Sequence, residues 1–280
     1  MRLSCAGRVL DLSRPVVMGV LNITSDSFSD GGRYNNLDAA LTHARAMVTA
    51  GAGIIDVGGE STRPGAAPVP LQQELDRVLP VIEALRREVD AVISVDTMKP
   101  QVMRAAIGAG AGLVNDVLAL QAPGAVEVVA QSPAAVCLMH MQGSPQTMQQ
   151  SPSYSNTVAE VQAFLQQRAA ACRAAGMAAE RIAIDPGFGF GKSLQHNMEL
   201  LAGLAELAAG EYPLLVGLSR KSILGKLLGR PVQERLAGSL ALATIAVMNG
   251  ARIVRSHDVA ETCDAVAVAW AVRMGVTDGT

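Results

Sequence analysis

The chain alternates between short apolar runs and longer amphipathic segments over most of its length. Residues 16–21 form the clearest run, with hardly a polar position, as expected of a strand that is buried on both faces. Ala- and Leu-rich segments follow the runs and often end at glycine, the usual residue just beyond a helix. The pattern predicts strands at residues 16–21, 54–57, 91–95, 113–114, 135–139, 182–184, 214–216 and 252–254.

Helices are predicted between these strands, near residues 37–50, 71–89, 99–108, 123–131, 157–175, 196–209, 232–249 and 259–274. Eight strand–helix units in succession, without a long linker, predict one (β/α)8 TIM-barrel domain over residues 1–280. A doubly wound open sheet is the alternative, although it rarely needs eight consecutive units. Residues 2–12 are predicted to form a short hairpin that closes the bottom of the barrel.

Each predicted strand ends in polar residues. In a barrel of parallel strands these ends meet at one face, and that face carries the active site. In chain order the ends are Asn22; Asp56 with Glu60, Ser61, Thr62 and Arg63; Asp96; Asn115 and Asp116; His140; Asp185; Ser219, Arg220 and Lys221; and Arg255, Ser256, His257 and Asp258.

Each of these residues also has a purely structural interpretation. Asp258 is placed to cap the last helix, with Glu261 completing a capping box. Asp56 and Asp116 could bind only neighbouring backbone amides, and His140 could be a buried histidine with its hydrogen bonds satisfied. The set as a whole favours a site, because barrel stability does not require polar residues at every strand end.

The segment 185–193 ends like a phosphate-binding P-loop but does not match one. Pro186 stands where the first glycine of that motif belongs, and the glycines run G-x-G-x-G, not G-x-G-x-x-G. The sequence instead predicts a mobile loop whose backbone approaches a ligand, with the rings of Phe188 and Phe190 facing it.

Composition narrows the class of protein. The formal net charge is −2, with acids and bases mixed along the chain, which gives no reason to expect nucleic acid or a membrane surface. The charge-free stretch 236–251 is shorter than the roughly 20 residues that span a bilayer. The four cysteines are scattered without metal-ligand spacing, as in a reduced cytoplasmic protein.

The strand ends suggest two neighbouring binding functions. Asp96, Asn115 and Asp185 offer acceptors for the N–H groups of a flat heterocycle. An anion locus is predicted from Arg63, Arg255 and His257, with Asn22 and Thr62, beside the start of the last helix. No Ser-His-Asp spacing or activated cysteine indicates a covalent nucleophile, so group transfer with a phosphate leaving group is favoured.

The polar strand ends belong to a set of longer motifs: 22–32 (NITSDSFSDGG), 56–65 (DVGGESTRPG), 94–97 (SVDT), 115–116 (ND), 185–192 (DPGFGFGK), 217–221 (GLSRK) and 255–258 (RSHD). On these motifs the chain resembles the bacterial dihydropteroate synthases from Arg8 to about Met274. Ser25 stands where many members carry proline, at no proposed ligand contact.

The resemblance implies condensation of 6-hydroxymethyl-7,8-dihydropterin pyrophosphate with 4-aminobenzoate, giving 7,8-dihydropteroate and pyrophosphate without a covalent enzyme intermediate. It implies Mg²⁺ as cofactor, a homodimer, and competition between sulfonamides and aminobenzoate. The expected catalytic residues are Asp30, which is placed near the reacting methylene, Lys221 and Arg255.

The resemblance also assigns binding residues to each substrate. The pterin would contact Asp96, Asn115, Asp185, Lys221, Met139 and Arg255, the last stacking on its ring. Asn22, Thr62, Arg63 and His257 would bind the pyrophosphate, and Asn22 would also bind Mg²⁺. Phe28, Thr62, Pro64, Phe190, Ser219 and Lys221 would surround the aminobenzoate.

Two alternatives share the predicted barrel and pterin pocket. A pterin-dependent methyltransferase domain would not need the anion residues at positions 219–221 and 255–257 or the first-loop motif. Degraded loop motifs would indicate a non-catalytic pterin-binding paralogue. In this chain the loop motifs are intact.

Overall fold

The fold is that of a computed structural model, which describes residues 1–23, 33–62 and 65–275, with the backbone alone for residues 33–36. The first two strands, β1 (Arg2–Cys5) and β2 (Arg8–Asp11), pair as an antiparallel hairpin. A second sheet has eight strands, all paired in parallel. These strands are β3 (Val16–Asn22), β4 (Ala52–Gly58), β5 (Val92–Asp96), β6 (Leu113–Asp116), β7 (Ala135–Met139), β8 (Ile182–Asp185), β9 (Leu215–Gly217) and β10 (Ile253–Ser256).

The parallel sheet closes on itself. Its strand order is β8-β7-β6-β5-β4-β3-β10-β9, and an isolated parallel bridge between Ile184 and Leu214 joins the two edges. The Ile184 amide donates to the Pro213 carbonyl oxygen at 3.0 Å across the same seam. The predicted TIM barrel is therefore confirmed.

Helices connect the strands on the outside of the barrel, and among the described residues three of the connections carry an additional helix or 3-10 turn. The 3-10 turns span Ala179–Arg181 and Val232–Glu234. The helices are α1 (Arg33–Thr49), α2 (Leu71–Glu88), α3 (Pro100–Ala109), α4 (Ala125–Ala130), α5 (Thr157–Ala174), α6 (Leu194–Ala202), α7 (Leu204–Ala208), α8 (Ser222–Leu228), α9 (Leu236–Met248) and α10 (Val259–Met274).

Two helix predictions differ from the structure. The helix predicted at 196–209 is divided into α6 and α7 at Gly203, where a Cβ would lie 2.7 Å from Val158 Cγ2 of α5. Helix α8 was not predicted. It has only seven residues, and because Leu227 and Leu228 are exposed, its sequence shows no apolar stripe that would indicate a helix.

The core has an inner and an outer layer. Between the sheet and the helices, the apolar faces of α1 to α10 pack on the outward side chains of the strands. Inside the barrel, inward side chains such as Met18, Ile54 and Leu113 form a separate cluster that also contains Leu3 and Cys5 of the hairpin.

The hairpin closes the end of the barrel at which the strands begin. The Ala6 amide donates to the carbonyl oxygen of Pro133, just before β7, at 3.0 Å. Gly112, just before β6, faces the Cys5 carbonyl oxygen so closely that a Cβ would lie 3.0 Å from it. Because the hairpin fills this end, the site must lie at the opposite face. In the described part of the chain, no helix is both long and apolar enough to cross a membrane.

We expect Leu3→Ala to lower the free energy of unfolding by about 2–5 kcal/mol, because Leu3 is fully buried in the inner cluster. The matched control is Val9→Ala on the other strand of the hairpin, where the side chain is 61% exposed and the expected change is within about 0.5 kcal/mol. Urea unfolding of both variants measures the difference. Equal losses would mean that the hairpin does not close the barrel through its buried face.

Candidate active site

A guanidinium lies between two carboxylates at the carboxyl ends of the strands. Arg255 on β10 donates from Nε to Asp56 Oδ2 at 2.7 Å and from Nη2 to Asp96 Oδ2 at 2.9 Å. Asp56 and Asp96 come from β4 and β5, on the other side of β3 from β10. Both carboxylates are buried, so this ion pair network is held in a medium that screens it weakly.

Asp56 also orients Asn115 at the end of β6. Asn115 Nδ2 donates to Asp56 Oδ2 at 3.0 Å, so the side-chain amide presents its Oδ1 as an acceptor. The interpretation of Asp56 as a partner of neighbouring backbone amides is therefore wrong. It is confirmed for Asp116, whose oxygens accept from the Leu118 and Leu120 amides at 2.8 and 2.7 Å.

Three buried oxygens in this region have no hydrogen-bond partner among the described residues: Asp56 Oδ1, Ser94 Oγ and Asp96 Oδ1. A buried acceptor without a donor costs about 1–3 kcal/mol. Such atoms at the mouth of a barrel indicate a ligand that brings N–H or O–H donors.

Asp185 forms the opposite part of the site, at the end of β8. Its Oδ1 accepts from the Gly187 amide at 2.7 Å. Burial raises the pKa of Asp185, and the nearby cation of Lys221 opposes this rise. Met139 pairs with Asp185 in the register of β7 and β8, which places it at the same level of the barrel.

Lys221 is a cation at the same face. Burial lowers the pKa of Lys221 to about 8, while Asp185 acts in the opposite direction. Its Nζ donates to the carbonyl oxygen of Phe188 and lies 4.6 Å from the centroid of the Phe190 ring. A cation in this position over an aromatic face is favourable.

The two phenylalanines of the β8–α6 loop have different environments. Phe188 is fully buried in the outer core, so the prediction that its ring faces a ligand is wrong. Phe190 is half-buried and packs beside a group of methionines that includes Met139 and Met141. Of the two rings, only that of Phe190 remains a candidate for ligand contact.

Ser219, His257 and Asn22 lie around the same mouth. Ser219 Oγ and His257 Nδ1 are hydrogen-bonded at 3.0 Å, and the His257 amide donates to Ser219 Oγ at 3.2 Å. Asn22 Oδ1 lies over Gly58, where a Cβ would be 3.5 Å from it and 3.6 Å from Asp96 Cβ. Thr62 is half-buried in the segment after β4. The predicted residues Phe28, Asp30, Arg63 and Pro64 lie outside the described residues.

Asp258 does not cap α10 as predicted. It occupies the N-cap position, but its carboxylate accepts from Arg220, at 2.9 Å for Nε and Oδ2, and forms no side-chain cap hydrogen bond. The ion pair takes the oxygens that a capping box would use.

Sequence reasoning missed an ion cluster on the same side of the barrel. Lys99 Nζ contacts the carboxylates of both Glu60 and Glu74, and Thr97 Oγ1 donates to Glu74 Oε1 at 2.6 Å. Glu60 Oε1 also accepts from the Val69 amide at 3.1 Å. The cluster thus joins both ends of the segment that contains Thr62. Glu74 stands at helical spacing in the apolar stripe of α2, four residues before Val78, and this position in the sequence points to the cluster.

No cluster of three or more His, Cys, Asp or Glu side chains suited to a metal occurs among the described residues. Two cavities in the described part of the chain also lie away from the mouth. One of about 750 Å³ is lined by Leu10, Trp270 and Met274 at the hairpin end, and one of about 460 Å³ lies beside Leu165 and Leu207 on the outer surface. The candidate site is therefore defined by the polar residues at the strand ends.

We expect Asp96→Asn to stabilise the protein more at pH 8 than at pH 5. Burial and the adjacent Asp56 raise the pKa of Asp96 to about 7, against the effect of Arg255. Because this pKa is above the ordinary value of 3.8, the contribution of Asp96 to stability is full below about pH 3.8 and is lost as the pH rises through about 7. Asn resembles the protonated form and can still accept from Arg255.

Chemical unfolding at the two pH values measures this difference. Asp90→Asn, at an exposed side chain, is the control for a generic loss of one carboxylate. If the unfolding free energies of wild type and Asp96→Asn change in parallel with pH, then Asp96 does not hold a raised pKa.

Known proteins resemble this chain closely. The model of the pterin binding enzyme family matches residues 18–257. The dihydropteroate synthase of Escherichia coli K12 is 54% identical over 268 residues, which cover 96% of this chain and 95% of the relative. The Yersinia pestis dihydropteroate synthase in a sulfonamide drug complex superposes with a TM-score of 0.93 at 55% identity, covering 98% of this chain and 100% of that one.

A third similar protein has 7,8-dihydropteroate bound. The Burkholderia cenocepacia dihydropteroate synthase complexed with 7,8-dihydropteroate has a TM-score of 0.89 at 49% identity, covering 98% of this chain and 96% of that one. With such identity over nearly the whole length, the chain belongs to the dihydropteroate synthases of the pterin binding enzyme family.

Proposed function

We propose that the barrel mouth binds the pterin ring through Asp96, Asn115 and Asp185. The observation that carries the proposal is the buried Asp96 Oδ1, which has no hydrogen-bond partner among the described residues. The chain also belongs to the pterin binding enzyme family. Asn115 presents Oδ1 beside it, because its amide nitrogen donates to Asp56. A pterin has adjacent ring N–H and amino groups, which match such a row of acceptors.

The reaction of this family joins 6-hydroxymethyl-7,8-dihydropterin pyrophosphate to 4-aminobenzoate, releasing pyrophosphate. We place Lys221, Met139 and Arg255 around the ring, with Arg255 stacked on it. Arg255 already donates to Asp56 and Asp96. These bonds favour a position beside the pterin ring over a role in the anion locus. Lys221 is held at the same face by the Phe188 carbonyl.

The displacement needs no nucleophile from the enzyme. The C–O bond breaks with its electron pair on pyrophosphate, positive charge develops at the pterin methylene, and the aminobenzoate nitrogen then forms the new C–N bond and loses a proton. Asp56, Asp96 and Arg255 together carry one net negative charge when both acids are ionised, which favours the cationic methylene. Asp30 is proposed near the methylene and the amine.

The pyrophosphate is proposed to bind at Asn22, Thr62, Arg63 and His257. The residues present also fit Mg²⁺ as cofactor, with Asn22 as the protein ligand. Asn22 Oδ1 is a neutral oxygen at the mouth, and Mg²⁺ is usually held by few protein ligands together with phosphate oxygens and water. When bound there, Mg²⁺ neutralises charge on the departing pyrophosphate.

The aminobenzoate is proposed to lie between Phe28, Thr62, Pro64, Phe190, Ser219 and Lys221. Support comes from Phe190, whose ring is half-buried beside Lys221 Nζ, and from Ser219, which is fixed by His257. A benzoate can use both the aromatic face and the cation of such a pocket. Sulfonamides are expected to occupy the same place.

A homodimer in the cytoplasm is proposed as the working form. Helices α9 and α10 expose a set of apolar side chains whose burial would favour association. Cytoplasmic location is supported by four free cysteines, three of them buried. The exposed apolar residues on these helices are Ile245, Met248, Val268, Val272 and Met274.

The assay that tests the function mixes purified protein with Mg²⁺, pterin pyrophosphate and 4-aminobenzoate and follows dihydropteroate by mass spectrometry. Equimolar dihydropteroate and pyrophosphate are expected. Pterin binding without product would favour the non-catalytic alternative. Methyl transfer from a methylated pterin to a corrinoid would favour the methyltransferase alternative.

Asp185→Asn should weaken pterin binding by about 1–3 kcal/mol, or roughly 5- to 150-fold in affinity. The Gly187 amide holds Oδ1, so the new NH₂ group would face the N–H groups of the ring. Calorimetric titration with pterin pyrophosphate measures the loss, and thermal melting verifies the fold. A folded variant with unchanged affinity would mean that Asp185 only braces the loop after β8.

An excess of chelator should stop turnover. The leaving pyrophosphate is multiply charged, and Arg255 already pairs with two carboxylates, so protein cations alone neutralise it poorly. Activity should return when Mg²⁺ is added after the chelator, which is the control for other effects of the reagent. Full activity in excess chelator would remove Mg²⁺ from the account.

A further inference from the structure

Lys192 is a buried lysine whose three donors meet neutral acceptors. Its side chain is 1% exposed. Nζ lies 2.9 Å from His140 Nδ1 and donates to the carbonyl oxygens of Gly187 at 2.9 Å and Phe190 at 3.0 Å, with a longer contact of 3.4 Å to the His140 carbonyl. Among the described residues no carboxylate pairs with it. Burying an ammonium in this way is unfavourable, so stability does not explain its presence.

Burial also determines how the pair is protonated. It lowers the pKa of His140 to about 3, with the Lys192 charge acting in the same direction, so Nδ1 of the neutral ring can accept. The sequence interpretation of His140 as a buried histidine is therefore confirmed, and its Nδ1 has a hydrogen-bond partner. Its ring is also fixed from the side by Phe164, with the centroids 5.0 Å apart and the planes at 87°.

Lys192 lies where two loops bind each other. The loop after β8, residues 186–193, is joined to the loop after β7, residues 140–156, by hydrogen bonds to its carbonyl oxygens. Gln149 Nε2 donates to Gly189 and the Tyr154 hydroxyl donates to Gly191, both at 2.7 Å. The sequence explained the glycines here by the approach of a ligand. The structure shows that two of them, Gly187 and Gly191, allow one backbone to approach another.

The approach is close at both ends of the loop. A Cβ on Gly187 would lie 1.9 Å from the His140 carbonyl oxygen, and a Cβ on Gly191 would lie 2.4 Å from that of Gln142. Both glycines also have positive φ, of 70° and 61°. Glycine permits this path, but glycine alone does not fix it, because it lets the backbone adopt many others. A donor that bridges two carbonyl oxygens of the loop does fix it.

Phe190 is the residue most directly set by this bridge. It lies between Gly189 and Gly191, and its carbonyl oxygen accepts from Lys192. The position of its ring against Lys221 therefore depends on the Lys192 contact. Asp185 depends less on this contact, because it belongs to the β7–β8 ladder, although the Gly187 amide that binds its Oδ1 is in a residue that Lys192 also contacts.

We propose that Lys192 is a positioning residue that, with His140, fixes Phe190 and thereby shapes the aminobenzoate side of the site. This inference rests on the proposed function, because it takes Phe190 as part of the aminobenzoate pocket. Lys192 itself touches no substrate. Its loss should act on aminobenzoate far more than on the pterin, whose contacts belong mainly to the strands.

The test is Lys192→Met, which keeps most of the length of the side chain and removes its donors. The KM for 4-aminobenzoate is expected to rise about 10-fold or more, since small displacements at a site have large kinetic effects, while the KM for pterin pyrophosphate changes less than about 3-fold. Hydrogen exchange at the amides of residues 187–191 should be faster in this variant.

Arg181→Met is the matched control at the other end of β8. Arg181 also donates to neutral backbone carbonyls, from Nε to Ala134 at 2.9 Å and from Nη2 to Val129 at 2.7 Å. We expect this variant to lower the melting temperature and to leave both KM values unchanged. Comparing the two variants separates an effect of lower stability from an effect of a displaced Phe190.

A Lys192→Met enzyme that raises both KM values equally, or only loses stability, would overturn the proposal. If that variant does not fold, Lys192→Gln keeps an uncharged donor, and the ratio of the two KM values decides in the same way. A wild-type protein that makes no dihydropteroate would contradict the proposed function instead. Hydrogen exchange would then still report whether Lys192 holds the loop, and unchanged exchange would overturn that part.

Discussion

The Arg255 guanidinium, shared between Asp56 and Asp96, is the interaction on which the site depends. It joins the ends of three strands, and through Asp56 it also sets the side chain of Asn115. Replacing such a buried ion pair with apolar residues often leaves stability unchanged or raises it. The two apolar layers of the barrel must therefore offset its cost, and what the network provides is a fixed edge of acceptors for a flat ring.

Much of this barrel could be predicted from the sequence. The alternation of strands and helices is local, and each apolar run ends in polar residues that a parallel barrel brings to one face. Asn22, Asp96 and Asp185 were found in this way. The pairing of Arg255 with Asp56 could not be predicted, because 199 residues separate them and only the closed sheet brings them together.

Other errors came from competition between partners. The carboxylate of Asp258 suited a helix cap, but Arg220 offered a stronger, charge-assisted bond. Glycines in the β8–α6 loop suggested a ligand, whereas Gly187 and Gly191 accommodate the backbone of the neighbouring loop. Lys192 lay inside the quoted motif without a role, since nothing local shows that its donors reach His140. The strands thus fix the acceptors for the pterin, while contacts between loops set the neighbouring aromatic side.

A crystal structure with pterin pyrophosphate and Mg²⁺ would test the central claim most directly. The account predicts that the ring lies in the mouth of the barrel, with its N–H and amino groups within hydrogen-bond distance of Asp96 Oδ1, Asn115 Oδ1 and Asp185. It also predicts that Arg255 keeps its bonds to Asp56 and Asp96. A ring bound elsewhere, or one that leaves Asp96 Oδ1 without a donor, would contradict the account.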